Sequence, residues 1–339
     1  MNILLTSAGR RSYLVHYFKE ALAGKAAVHA SNSRWSTALE VADEAVLTPL
    51  IYDEHYIAFL LDYCMAHDIK AVISLFDIDL PVLARARERF QQEGIQVIVS
   101  DYRVTQICND KWKTYLFLKE NKFHAPQSFI ALDQLQQALQ DKRVRFPLII
   151  KPRWGMGSIS IFKADNNEEL NVFYAKVKRE IQASYLKYES EGDPDHSVII
   201  QEFLNGQEYG LDIINDLDKN YLTTFVKKKT GMRAGETDGA ITVKHETLQQ
   251  LGQHIAVSLG HIANLDTDCF MVGGRPYILE MNCRFGGGYP FSHLAGANLP
   301  AAILKWVNNE AAEKYLNNYQ VGIEGKKDII LNRIENNRD

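Results

Sequence analysis

The rhythm of apolar segments changes once along this chain, and that change limits the folds open to it. Over the first hundred residues, short apolar runs alternate with helical repeats. "NILLTS" runs to Gly9, and "RSYLVHYFKEAL" follows with Leu14, Phe18, Ala21 and Leu22 at helical spacing. "AAVHAS", "YIAFLLDYCMAH", "KAVISLF", "LPVLARARERFQQ" and "IQVIVS" continue the alternation. Strand and helix in turn predict right-handed crossovers and a parallel sheet. In such a sheet the loops after the strands line the ligand crevice, which singles out "SAGRR" and "LFDID".

After Asp101 the strands become neighbours. "DKWKTYLFLKEN" reads as a helix, and "FPLIIK" as a strand entering the Gly-rich turn "PRWGMGSIS". A long polar helix is expected from Asn166 to about Tyr188. "HSVIIQEFL" through "YGLDIINDLDKNYLTTFVKK" has adjacent strands with an Asp/Asn turn between two of them, an antiparallel hairpin pattern. "HETLQQLGQHIAVSLGH" is an amphipathic helix, and "DCFMVGGRPYILEMN" is two strands around Gly-Gly. A helix, "PAAILKWVNNEAAEKYL", and a polar tail complete the chain, with no internal repeat and no low-complexity segment.

Composition narrows the class further. A chain of 339 residues, 46% hydrophobic and 24% charged, is long enough for two or three domains and a core that needs no staples. The net charge of -4 argues against a nucleic-acid partner. Cys64, Cys108, Cys269 and Cys283 are scattered without a C-x-x-C pair, as expected of reduced thiols. No stretch has the apolar length of a membrane span, and the first residues do not read as a signal peptide. A soluble, cytoplasmic protein is expected.

The chemistry concentrates near "RPYILEMNCRFGGGYP". Glu280, Asn282 and Arg284 occupy every second position of a strand and so share one face. Asp268 lies on the preceding strand, which the Gly-Gly turn folds alongside. Carboxylate and amide oxygens of this kind suit Mg²⁺, which keeps open positions for phosphate oxygens, and Arg284 suits a phosphate or acyl phosphate. The alternative is a solvated strand edge. Lys151 ends "FPLIIK" before glycines whose N–H groups can approach a phosphate, although the Walker spacing is absent and an ordinary Gly-rich hairpin reads equally well. Lys111 at a helix start is compatible with a surface role. Gln201-Glu202-Phe203-Leu204 before Asn205-Gly206 can offer backbone groups to an adenine edge, with Glu208 available for ribose, or can be a plain hairpin.

In this order the five motifs resemble the ATP-grasp superfamily over roughly Tyr102 to Leu304, with large-chain halves of carbamoyl-phosphate synthase and related carboxylate–amine ligases as the nearest likeness. The resemblance implies a pre-ATP-grasp parallel α/β domain over residues 1–101 and a two-subdomain ATP-grasp fold (α+β) over 102–308. It also implies a mobile lid at about 129–198 and a C-terminal extension over 309–339. By motif, Lys111 and Lys151 correspond to phosphate-binding residues, Glu202, Phe203 and Leu204 to the adenine hinge, and Glu208 to the ribose acid. Asp268, Glu280 and Asn282 correspond to metal ligands, with Glu280 bridging, and Arg284 to the arginine that follows. Glu280, Lys151 and Arg284 would carry phosphoryl transfer. ATP and two Mg²⁺ ions, with Mn²⁺ as a substitute, are the implied cofactors. The family's E-x-N-P-R has Cys283 in place of proline, at a position pointing away from the polar face.

The implied activity is ADP-forming ligation of a small-molecule carboxylate to an amine through an acyl phosphate. A kinase of the same fold and a non-catalytic ATP-binding subunit are the alternatives, and a homodimer is compatible. The family often has histidine where Glu236 stands, which argues against carbamoyl-phosphate chemistry. Arg233 and Glu236, in the loop "TGMRAGETDGAITVKHETL", are candidate substrate contacts or part of a mobile surface loop. Gly9, Arg10 and Arg11 in "SAGRR" are expected to hold the carboxylate, and Asp77 or Asp79 the amine, unless the arginines cap a sheet edge or serve a subunit contact.

Overall fold

Three sheets organise the chain in a computed structural model that describes residues 1–157, 159–329 and 331. Ser158 of the "GMGS" turn and residues 332–339 of the expected extension lie outside the described residues.

The first sheet is parallel and five-stranded, in the order β3-β2-β1-β4-β5. Its strands are β1 (Asn2–Thr6), β2 (Val28–Asn32), β3 (Glu44–Leu47), β4 (Ile69–Ser74) and β5 (Gln96–Val97). Helices α1 (Ser12–Leu22), α2 (Thr37–Val41), α3 (Tyr56–Ala66) and α4 (Asp79–Gln92) connect them. Helix α2 and strand β3 are short and lack a periodic apolar pattern, so they escape a reading by periodicity. Strands β2 and β4 flank β1 on opposite sides, so the loops after β1 and β4 part at a switch point. Gly9 there has φ +53, a turn that glycine adopts without strain.

Asp79 ties this switch point together. Its carboxylate is fully buried and accepts from Thr6 Oγ1 (2.5 Å), Ser74 Oγ (2.8 Å), Tyr56 Oη (2.9 Å) and Ser7 Oγ (3.1 Å). Burial pushes its pKa up against the pull of those hydroxyls. The expected amine-holding role therefore does not fit Asp79, because its oxygens are already spent inside the sheet.

Helices α5 (Tyr102–Asn109) and α6 (Lys111–Glu120) lead to the second sheet. It is antiparallel, order β6-β9-β7-β8, with β6 (Ser128–Phe129), β7 (Leu148–Pro152), β8 (Phe162–Ala164) and β9 (Val198–Glu202). Helices α7 (Leu132–Gln140), α8 (Asn167–Gln182) and α9 (Leu186–Glu189) cover it. The expected long helix breaks after Gln182, where Ser184 Oγ accepts from Leu186 N at 3.3 Å and restarts a turn. This layer has its own core of Leu135, Leu148, Ile150, Leu170, Val177 and Ile200. A unit with a separate core can move as a body, as the lid expectation requires.

The third sheet is antiparallel, order β14-β13-β10-β11-β12-β15. Its strands are β10 (Gln207–Asn215), β11 (Tyr221–Arg233), β12 (Glu236–Thr242), β13 (Ala263–Val272), β14 (Arg275–Asn282) and β15 (Glu324–Lys326). Helices α10 (Glu246–Leu259) and α11 (Tyr289–Leu294) pack on it, and α12 (Leu299–Val307) packs against α1. Its cores are continuous with those of the first sheet: Leu4, Val72 and Phe90 share one cluster with Leu211, Val226 and Met281.

Three expectations are corrected here. The segment read as a surface loop is the β11–β12 hairpin, closed by Ala234 (φ +48) and Gly235 (φ +79), the doubly positive turn whose twist matches paired strands. The polar tail is partly strand, since β15 pairs with the edge of β12. The helix expected before it stops at Val307, because Asn309 at φ +56 leaves the helical region.

Asp79→Ala would strand four hydroxyl groups at the switch point. We expect a loss of about 3 kcal/mol in unfolding free energy. The measurement is urea unfolding, read as a lower midpoint with unchanged slope. An unchanged midpoint would remove Asp79 as the tie.

Candidate active site

The site grows from the pairing of β13 with β14. Asp266 faces Asn282 and Asp268 faces Glu280, and the register then shifts by one residue after Asp268. Such a bulge next to paired acids re-aims side chains. On the next strand Gly210 lies opposite Asp268, and on the one after it Lys227 lies opposite Gly210. A side chain at Gly210 would put its Cβ 3.5 Å from Lys227 Cε, 3.6 Å from Lys229 Cε and 4.0 Å from Asp268 Oδ1. The missing side chain lets the lysine stems cross towards the acids.

Lys229 uses that path. Its Nζ donates to Glu208 Oε1 at 2.6 Å and lies 2.7 Å from Asp268 Oδ1. Burial alone would lower its pKa, but Asp268 and Glu208 raise it above the lysine range. Burial lifts both acids. Glu208 rises, and Asp268 reaches about 6, with Lys229 pulling down and Asp266 and Glu280 pushing up. Behind them Lys227 is buried on Asp212, with Ser292 bonded to both. Sequence reasoning missed Lys227, Lys229, Asp212 and Asp266. The signal was alternation: Lys227 and Lys229 share a strand face, as do Asp266 and Asp268.

Lys111, at the start of α6, and Lys151, on β7 of the second sheet, both lie within electrostatic reach of Glu280. Asp110 caps α6 by accepting from Trp112 N (2.9 Å) and Lys113 N (3.3 Å), which sets Lys111 at the first turn. Lys111 Nζ donates to Gly155 O in the Gly-rich turn. Arg153, also missed, grips Asp110 with two bonds of 2.7 Å and fixes that turn against the helix start. Burial lowers Lys111, and it lowers Lys151 to about 8; Glu280 and Asp268 oppose this for Lys151 while Lys111 adds to it. For Glu280, burial would raise the pKa, but Lys111, Lys151, Lys229 and Arg284 outweigh it and hold the carboxyl low. It is therefore a carboxylate with cations on several sides.

Arg284 joins the first sheet to the third. Its guanidinium meets Asp77 Oδ2 at 2.8 and 2.9 Å and Asp266 Oδ2 at 3.2 Å. Burial would lower Arg284, but Asp77 and Asp266 raise it further. Arg11 Nη1 donates to Phe285 O at 2.9 Å. The glycine run is a matter of space: a Cβ on Gly286 would fall 2.0 Å from Asp266 Cγ. The loops "SAGRR" and "LFDID" therefore do meet the strand carrying Glu280, through Arg11 and Asp77.

Other expected residues lie apart from this cluster. Glu202 pairs with Gln127 through Glu202 N to Gln127 O (2.9 Å) and Gln127 N to its Oε2 (3.3 Å). Phe203 is exposed beneath Lys163 Nζ, 5.0 Å from its ring centroid, and Leu204 is nearly buried. Two substrate expectations are not supported. Arg10 is exposed to solvent, and Arg233 turns to Asp238 (3.0 Å) on its own hairpin.

The donors suit a hard divalent cation: Asp268 and Glu280 offer carboxylate oxygens and Asn282 an amide, all on one face. Among the described residues no three His, Cys, Asp or Glu side chains are gathered as a metal cage.

Comparison with known proteins fits this geometry. A PylC-like N-terminal domain model matches residues 3–98, and an ATP-grasp domain model matches residues 108–288, more than half of the chain. The chain therefore belongs to the ATP-grasp ligase family, and it is an enzyme of that class. An L-amino acid ligase from Bacillus licheniformis superposes with TM-score 0.67 and 19% identity, over 94% of this chain and 76% of that one. The biotin carboxylase domain of the 2-oxoglutarate carboxylase of Hydrogenobacter thermophilus, solved with MgADP and bicarbonate, gives 0.71 and 16%, over 94% and 72%. N5-carboxyaminoimidazole synthetase from Staphylococcus aureus gives 0.67 and 14%, over 92% and 78%. At these identities the likeness is one of fold. Carbamoyl-phosphate synthase is a loose fit, since the first domain matches the PylC-like model. Among the described residues no helix is long and apolar enough to cross a membrane.

A phosphate-holding lysine works in its charged form, which dominates below its pKa and is lost as pH rises through it. With Lys151 at about 8, kcat/KM for ATP should fall as pH climbs past 8. Lys151→Arg should move that fall upward by more than one pH unit. A profile identical in both proteins would detach Lys151 from the nucleotide.

Proposed function

We propose that this protein is an ADP-forming carboxylate–amine ligase acting on a small molecule. The observation that carries the reading is the pairing of Asp268 with the half-buried Glu280 across β13 and β14, with Lys229 2.7 Å from Asp268 and with Lys111, Lys151 and Arg284 in electrostatic reach of Glu280. Phosphoryl transfer needs alignment and charge neutralisation more than covalent help from the protein, and this arrangement provides both.

In this reading Lys111 and Lys151 bind the phosphates beneath the Gly-rich turn. Glu202, Phe203 and Leu204 flank the adenine, and Glu208 approaches the ribose, steadied by Lys229. Asp268, Glu280 and Asn282 would hold Mg²⁺, which when bound screens phosphate charge and polarises the transferring group. Arg284, fixed by Asp77 and Asp266, orients the substrate carboxylate for attack on the γ-phosphorus. The nitrogen of an amine then attacks the acyl carbon of the acyl phosphate, the bond from that carbon to the phosphate oxygen breaks, and inorganic phosphate and a proton leave. The second sheet excludes water: Tyr52 Oη donates to Glu189 Oε1 at 2.9 Å, joining α9 to the first sheet's loops. The L-amino acid ligase among the fold neighbours is in keeping with this class of reaction.

ADP release should require a carboxylic acid and an amine together, read by a coupled assay over pairs of candidate substrates. Release with an acid or an alcohol alone, and no coupled product, would turn the reading to a kinase. Glu280→Gln should lower turnover about a thousandfold while leaving the circular dichroism spectrum unchanged. Activity within a few-fold of the parent, with ordinary Mg²⁺ dependence, would overturn the metal assignment.

A further inference from the structure

The wall beyond Arg284 contains charged groups that the nucleotide half of the site does not use. Lys327 follows β15, and its backbone N–H donates to Asp238 O at 2.7 Å, which anchors it on the β11–β12 hairpin. Its Nζ stands 3.7 Å from Glu236 Oε2, beyond hydrogen-bond length, and 6.0 Å from the Phe291 ring centroid. Gly287 lies beneath both: a Cβ there would be 3.8 Å from Lys327 Nζ and 3.9 Å from Glu236 Oε2. Arg11 completes the wall from the first sheet. Its hydrogen bond goes to a neutral carbonyl, Phe285 O, while Arg284 beside it is already matched by Asp77 and Asp266. Tyr13 is within electrostatic reach of both Arg11 and Glu236. Lys327 is half-buried, and burial lowers its pKa although Glu236 and Asp238 oppose that.

This is a row of separated opposite charges over a side-chain-free floor. Its inner end, Arg11, adjoins Arg284 and Asp266, and its outer end, Glu236, is more than half exposed. In an α-amino acid the ammonium nitrogen and a carboxylate oxygen are about 3 Å apart. That spacing matches the Glu236–Lys327 separation in the opposite polarity. Each group would gain a charge-assisted partner that it lacks within its own wall.

We infer that Arg11, Lys327 and Glu236 form the recognition wall for the acid substrate, and that this substrate is an α-amino acid. Its carboxylate lies against Arg11 and Lys327, pointing inward to Arg284, and its ammonium lies against Glu236. The inference rests on the ligase reading above. It gives Glu236 the ammonium end and brings in Lys327, which stands outside the segment matched by the ATP-grasp model. In the reaction a carboxylate oxygen bonds to the γ-phosphorus of ATP, the bond from that phosphorus to the β–γ bridging oxygen breaks, and ADP leaves.

The test uses the full chain with Mg²⁺ and a non-hydrolysable ATP analogue. Each proteinogenic L-amino acid is added singly, and binding is read by thermal shift and calorimetry. At least one should bind, and its α-carboxamide and N-acetyl derivatives should bind more weakly. Lys327→Met should weaken the amino acid about tenfold and erase its advantage over the α-carboxamide; Lys327→Arg should restore it. Glu236→Gln should erase the advantage over the N-acetyl derivative instead. Neither change should alter nucleotide binding, which also reports that the variants are folded. If the variants keep parental affinity and preference, the wall is only a surface ion pair and the inference fails. If the parent binds nucleotide but no amino acid, the inference fails and the ligase reading stands. If the parent binds no nucleotide, both fail.

Discussion

One buried guanidinium holds the first and third sheets in working relation. Arg284 lies just past the strand that carries Glu280 and Asn282, and it is clamped between Asp77 of the first sheet and Asp266 of the third. Removing either partner would leave charge uncompensated at a buried site, a cost of about 3–5 kcal/mol in comparable buried pairs. Side chains around this clamp are consequently small or absent. A Cβ on Gly286 would collide with the Asp266 carboxyl, and Arg11 spends a donor on Phe285 O in the same loop. The crevice between the sheets is thus a fixed geometry on which the rest of the site depends.

The charges within the crevice are tolerable because each has neighbours of opposite sign. Lys229 stands between Glu208 and Asp268, and Lys227 answers Asp212 one layer deeper. Lys111 from α6 and Lys151 from the second sheet lower Glu280 against the pull of burial. The arrangement asks much of the backbone. Lysine stems must cross a strand, and Gly210 is the position that lets them do so. Burial depresses Lys151, which no carboxylate touches, whereas Asp268 and Glu208 raise Lys229.

Much of this was legible in the sequence, for identifiable reasons. Period-two alternation at Glu280, Asn282 and Arg284 marks a polar strand face, and the Gly-Gly turn brings Asp268 alongside; the register confirms the Asp268–Glu280 pairing. The strand–helix alternation of the first hundred residues gives the parallel sheet and its two crevice loops. What failed was whatever depends on partners far away in sequence. Asp77 and Asp79 look alike in "LFDID", yet one meets Arg284 and the other is consumed by four hydroxyls. Arg10 and Arg11 look alike too, and only Arg11 turns inward to Phe285. The "KKK" run reads as strand-end charge until its pairing with β10 is known. The β11–β12 hairpin was hidden by its glycines and threonines, which resemble a loop.

The same distinction explains why the nucleotide half of the site can be read from motifs while the substrate half cannot. The residues proposed for phosphates and metal recur in a fixed order, and they fall within the segment 108–288 that matches the ATP-grasp model. Beyond residue 288 the chain still builds the crevice. Ser292 bonds Lys227 and Asp212, Phe291 faces Lys327, and β15 extends the sheet that carries Glu236. An edge strand with no partner would be a site for unwanted pairing, and β15 covers the edge of β12 while delivering Lys327. Here fold stability and substrate selection draw on the same short segment, so its sequence carries both constraints and displays neither as a motif.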